Sequence, residues 1–270
     1  MMAGMDSAAM LARVPAPLRP VVEFGRRCLE RFIELEGFDR GMALAGQAFA
    51  ALLPLLIVVG AASPSDGRDV ADTLIEEFRL TGSAADALRG ALARPAGAES
   101  SISILSFVIL AISALSFTRA MQRLYVRAWR LPKMGMRGNG WGLAWLGAFV
   151  AWTSVQPIII SIFHGLLEFI VAEVLATGLW LLTPWLLVGR RLPWTRLLPQ
   201  AALTAFGMLC VSVAAAIYAP RAISSAAADF GVIGVAFSLL TLLFLITMVM
   251  VVAAAIGATL AEWIDERRAP

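Results

Sequence analysis

Between Gly41 and Leu260 the chain contains six stretches, of 17 to 30 residues each, in which Glu168 and Glu173 are the only charged side chains. A run of about 20 apolar residues makes a helix about 30 Å long, the thickness of the hydrocarbon layer of a bilayer. In that layer no water can satisfy a backbone N–H or C=O, so a run of this kind crosses as a helix whose hydrogen bonds are internal. Composition agrees with lipid as the solvent: 60% of the residues are hydrophobic and 15% charged, against roughly 45–50% and 25% in soluble domains. The sequence therefore predicts an all-α fold, an integral membrane bundle of six transmembrane helices over about 41–62, 102–118, 141–163, 166–189, 198–219 and 231–260.

Residues 1–40 form an N-terminal segment, 41–261 the membrane domain, and 262–270 a short charged tail. In the first segment Val21, Phe24, Cys28, Phe32 and Leu35 recur at helical spacing, with Glu23, Arg26, Arg27, Glu30, Arg31 and Glu34 on the other face. This is an amphipathic helix suited to the membrane interface or to the floor of the bundle. Residues 63–100 are too polar to cross. Val70, Leu74, Ile75 and Phe78, then Ala87, Leu88, Ala91 and Leu92, predict a helical pair on the outer face. The stretch 119–140 carries six basic residues and no acid and reads as an amphipathic basic segment that becomes loop-like at Pro132, Gly135 and Gly138; 220–230 reads as an outer loop.

Orientation follows from arginine and lysine, which are retained on the cytoplasmic side. The N-terminal segment, 119–140, 190–196 and the tail hold 17 of them; the alternate loops hold five, Arg68, Arg79, Arg89, Arg94 and Arg221. The alternation holds across all six spans and places both termini in the cytoplasm. Lys133 is the one lysine, and the arginine- and alanine-rich usage is that of a GC-rich bacterial genome.

Enzymatic chemistry has no foothold in this sequence. There is no phosphate-binding G-x-x-x-x-G-K-[ST] loop and no G-x-S-x-G nucleophile elbow. One histidine and two scattered cysteines, Cys28 and Cys210, build neither a zinc site nor an evident disulfide. No cofactor, metal or specific nucleic acid is implied; the partner implied is the lipid bilayer, with a homo-oligomer left open.

Polar residues within the spans are the candidates for function. Glu173 lies in the fourth span, where a charge at mid-membrane costs about 2.5–3.5 kcal/mol, so it should face the bundle or a wet cavity. His164 and Glu168, four residues apart near the outer surface, could join it in a proton or cation site, or simply reach headgroups and water. Gln47 and Gln156 lie near Pro54 and Pro157, where a broken helix would free backbone groups to line a transport site. The plainer account of both glutamines is interhelical hydrogen bonding, worth about 0.6 kcal/mol each.

ALAGQAFAALLPLLIVV around Pro54, ALSFTRAMQRLYVRAW from Ala114, RRLPWTRLLPQAAL from Arg190 and FGVIGVAFSLLTLLFLITMVMVVAAAIGATL from Phe230 together resemble the YihY/virulence factor BrkB family of bacterial inner-membrane proteins, formerly labelled ribonuclease BN. The resemblance covers about residues 30–262, with Gly231, Gly234, Gly257 and Ala258 matching the family's pattern. It implies six spans with cytoplasmic termini in the inner membrane, a transport role having been proposed for the family. The chain departs from that pattern in span one, where Gly46, Gln47 and Ala51 replace a Phe-Tyr pair and a serine. Near the end, Gly257, Ala258, Thr259, Leu260 and Ala261 stand where the family has Gly-Ala-Glu-Leu-Asn, so a site using that acid and asparagine is absent or altered here. The expectation is a permease-like protein, the alternative a non-transporting envelope scaffold; a nuclease role rests on the old label alone.

Overall fold

The computed structural model describes residues 15–62, 71, 72, 75, 76, 82, 85, 86, 89, 90, 100–135 and 137–268. Every long element among them is a helix: α1 (Arg19–Glu34), α2 (Gly37–Ala62), α3 (Ser100–Ala128), α4 (Arg137–Ile160), α5 (Leu166–Leu187), α6 (Trp194–Gly231) and α7 (Ile233–Arg268). Among the described residues, α4 to α7 are long and apolar enough to cross a membrane.

A proline in the first turn sets α1 going, since its missing N–H is one the helix start leaves unpaired anyway. The helix ends where Glu36 takes a left-handed φ of 54°, which turns the chain directly into α2. One side of α1 docks on the bundle through buried Arg31 and Leu35, with Phe24 edge-on to Trp263 of α7 at 5.4 Å. Leu18, Val22, Leu29 and Ile33, which recur at steps of four and seven, form a second, exposed apolar stripe. The amphipathic helix read from the sequence thus has both a docked and an open apolar side.

The core is built around α7, whose Val251, Ala254, Ala255 and Ala258 are almost wholly buried. Small residues let its neighbours approach closely. Gly41 of α2 lies against Met248, and the Thr247 hydroxyl donates to the Gly41 carbonyl at 2.9 Å. Gly207 of α6 lies against Val249, and Gly257 against Gln200 of α6. On the other flank α4 and α5 form an antiparallel pair, in which Trp145 Nε1 donates to Thr183 Oγ1 at 3.1 Å and Trp152 packs on Gly178.

One loop expectation is corrected. Residues 220–230 are helical, and α6 runs to a reversal at Gly231 (φ 61°, ψ −140°), a backbone conformation that only glycine adopts without strain. The cause is alanine-rich sequence with Ile223 and Ala227 buried on one face, packed by Ala219 and Val235 in a second small core. Pro220 does not stop the helix. The amphipathic basic segment over 119–128 continues α3 as helix, because Met121, Leu124, Tyr125 and Ala128 extend its buried face. Loop begins only at Leu131. Of the predicted outer helical pair over 66–94, residues 71, 72, 75, 76, 85, 86, 89 and 90 are helical, with Arg89 paired to Asp72 at 3.2 Å; the rest lies outside the described residues.

The four basic segments counted for orientation meet at one end of the bundle. Arg31 pairs with Glu262 of the tail, Arg27 with Glu266 at 2.6 Å, and Arg196 with Asp265. Arg130 pairs with Glu34 at 2.9 Å, and Arg191 donates to the Pro132 carbonyl at 2.6 Å.

Candidate functional site

The intramembrane polar residues are spread over separate helices. Gln47 is half-buried on α2, and its side-chain oxygen is buried without a partner among the described residues. α2 packs on α3 and α7, whereas α4, which carries Gln156, packs on α3 and α5. Gln156 and Glu173 come closer to sharing a place. The antiparallel register fixed by Trp145 with Thr183 and by Trp152 with Gly178 sets these two half-buried residues at the same level of the α4–α5 pair. His164, in the turn before α5, and Glu168, in its first turn, are exposed. Glu168 sits where the helix dipole favours an acid. No hydrogen bond or ion pair joins His164, Glu168 and Glu173 to each other. Pro54 lies inside α2, which continues to Ala62, and Pro157 lies in the last turn of α4.

A larger feature lies at the basic end. The continuation of α3, the loop 131–135, the first turn of α4 and Arg40 of α2 border an open cavity of about 860 Å³. Among the described residues six cations line it, Arg40, Arg119, Arg123, Arg127, Arg130 and Lys133, and no carboxylate does. Helical geometry explains the array. Arg119, Arg123 and Arg127 fall at steps of four, so one face of α3 presents all three while the opposite face is core, and Arg130 joins them from the turn just past the helix end. Like charges at this spacing repel by about 0.2–0.5 kcal/mol per pair, so the stripe is not there for helix stability. The wall across from it is fixed by Gln122, which is buried and donates to the Gly138 carbonyl at 2.6 Å.

The charges are unequally neutralised. Arg127 and Arg40 share one carboxylate, Glu36, at 3.3 and 3.4 Å. Arg130 is held by Glu34, whose own carboxyl is kept below the usual range first by the hydrogen bond from Arg130. Arg119 donates to a neutral acceptor, Asn139 Oδ1, at 3.1 Å. Arg123 and Lys133 have no hydrogen-bonding or ionic partner among the described residues. Burial, then the neighbouring Arg127 and Arg123, lowers the proton affinity of Arg40, the direction expected in a site of positive potential. Such a cavity attracts anions and repels cations. Among the described residues no group of three or more His, Cys, Asp or Glu could hold a metal.

The sequence signal for this site was present, as arginines every four residues with no intervening acid, but it was absorbed into the charge count that sets orientation. What that count cannot show is the arrival of Arg40 from another helix to border the cavity.

Long apolar helices around a small-residue core, with charge gathered at one end, define a polytopic α-helical membrane protein. Residues 28–270 match the family described as virulence factor BrkB, and the chain belongs to that family. No curated protein and no solved structure matches the chain significantly.

Proposed function

We propose that this chain is a six-span protein of the bacterial inner membrane, with both termini in the cytoplasm, acting as a permease whose entrance is the basic cavity. The observation that carries this reading is the alignment of that cavity with polar groups deeper in α2. Arg40, which lines the cavity, and Gln47 are seven residues apart, on one face of the helix and about 10 Å apart in depth. The Gln47 oxygen, buried and unpartnered, is the kind of group that a passing solute or water would satisfy. Pro54 follows at the same spacing. In this reading α2 and α3 are the first two spans, and the end that gathers the arginines faces the cytoplasm. The exposed apolar stripe of α1 then lies in the inner interface beside the cavity mouth.

The test is flux in proteoliposomes across anionic and neutral solutes, comparing the native chain with Gln47→Leu and Glu173→Gln. Transport is expected to fall in Gln47→Leu, because leucine offers no acceptor on that face. Flux indifferent to Gln47→Leu would remove the assigned path. No flux for any solute class would favour the alternative of a non-transporting envelope scaffold.

A further inference from the structure

We infer that the basic cavity binds a terminal phosphate group, presented either by phosphatidic acid in the inner leaflet or by a small phosphorylated anion. Retention of positive charge on the cytoplasmic side accounts for the number of basic residues after the second span but not for the arrangement of Arg119, Arg123, Arg127 and Arg130. They could be spread over a solvated surface; instead they converge on a concave space of about 860 Å³, within the range of roughly 300–1,000 Å³ found for small-ligand sites.

Charge and shape select the ligand class. Arg119, Arg123 and Lys133 lack a carboxylate partner among the described residues, and Arg40 and Arg127 have one between them. A halide or a single carboxylate would leave most of this excess unmet. A terminal phosphate, bonded through one oxygen only, carries up to two charges and three acceptor oxygens, and the planar fork of arginine matches it with paired N–H donors. Lys133, on the loop that follows α3, adds a compact charge to the same lining. The unpaired cations thus border one space. Leu18, Val22, Leu29 and Ile33 of α1 mark where an interface would lie, at the same end of the molecule. A phosphate entering from the headgroup layer or from the cytoplasm would reach the cavity at that level.

This inference rests on the cavity described above but not on transport, and a binding measurement separates the two. The full chain is reconstituted in nanodiscs of phosphatidylcholine and titrated with glycerol 3-phosphate and pyrophosphate; in the second arm phosphatidic acid replaces part of the lipid. The shift in thermal midpoint gives an apparent Kd in each arm, with sodium chloride at matched ionic strength as reference. Arg123→Gln with Lys133→Gln removes the two unpartnered cations and should weaken binding at least tenfold without lowering the ligand-free midpoint. Arg123→Lys should lose less, and Arg267→Gln in the tail should bind as the native chain does. A response to the soluble anions alone identifies a phosphorylated solute, a response to phosphatidic acid alone identifies a lipid, and either supports the inference. No response beyond sodium chloride in both arms, or a response that survives the double substitution, overturns it. Binding without flux would leave the phosphate site standing and remove the permease reading; flux without binding would do the reverse.

Discussion

Replacing Glu262 with glutamine tests how α1 is held on the bundle. Arg31 is 4% exposed and spends its guanidinium on the Glu262 carboxylate and on the Ala128 carbonyl, at 2.9 Å; Glu34 lies 4.0 Å away. A fully buried charge that loses its counter-ion costs about 3–5 kcal/mol. That figure is too large here, because Glu262 is 44% exposed, glutamine keeps an acceptor oxygen, and Glu34 remains nearby. Discounting for solvent brings the loss to about 1–2 kcal/mol. At about 1.4 kcal/mol per tenfold, the undocked fraction of α1 should rise roughly five- to thirtyfold. Arg31→Met approaches the same result from the other partner. It strands the Ala128 carbonyl rather than a charge, at about 1–3 kcal/mol.

Cys28 makes this measurable. It is a free thiol, half-buried on α1, and burial pushes its pKa up, so in the docked helix it reacts slowly. With the exposed Cys210 replaced by alanine, the alkylation rate of Cys28 at fixed pH follows the fraction of time α1 spends away from the bundle. Both variants should label faster by the factors above, and the double variant by less than their product, because the two residues share one interaction. Labelling at the native rate in both variants would refute the assignment of Arg31 as the anchor and transfer the docking to apolar contacts such as Phe24 with Trp263.

Gly231→Ala should destabilise the α6–α7 hairpin by about 1–3 kcal/mol through backbone strain alone, since a methyl group there meets nothing within 4 Å; thermal unfolding in detergent measures it. Trp129→Phe removes the donor to the buried Gln200 side chain at 2.8 Å and should cost about 1–3 kcal/mol by the same assay, whereas Gln200→Leu combined with it should recover part of the loss. The ion pair of Glu34 with Arg130 gives a pH dependence of known sign. Because the folded carboxyl sits below its ordinary value, its contribution is complete above the usual carboxylate range and is lost as the pH falls through the lowered value. Hydrogen exchange of α1 amides, corrected for intrinsic rate, should therefore lose protection on acidification, and Glu34→Gln should flatten that response.

The helices of the membrane domain were legible in the sequence because hydrocarbon imposes one length and one backbone solution on every apolar run. The amphipathic α1 was legible as a helix, but its docked side only in part: Phe24, Cys28, Phe32 and Leu35 turn inward as their spacing implies, whereas Val21 is exposed and Arg31, read on the charged face, is buried. Reading failed where lipid stops dictating the outcome. Pro220, Ser224, Ser225 and Asp229 look like a loop when taken one at a time; only their alanine neighbours and the packing of Ile223 against Val235 decide for helix. Gln47, Gln156 and Glu173 were recognisable as polar groups in apolar runs, but which of them share a level depends on helix pairing. That pairing is set by single contacts such as Trp145 with Thr183, which have no period to read.

The continuation of α3 and the basic cavity have one physical origin. A helix that ended at the membrane surface would scatter Arg119 to Arg130 over a solvated loop, where each would be screened and separate. Met121, Leu124 and Tyr125 instead hold the helix to the bundle floor for nearly three further turns, and a helix buried on one face must present its remaining residues together on the other. The core residues of this segment therefore fix the spacing of its cations. Substitutions at Leu124 or Tyr125 should disturb the cavity even though neither lines it, while substitutions at Arg123 should leave the fold intact. That asymmetry separates a built site from charge retained only for orientation, because the orienting effect depends on how many basic residues follow the span and not on which face they occupy.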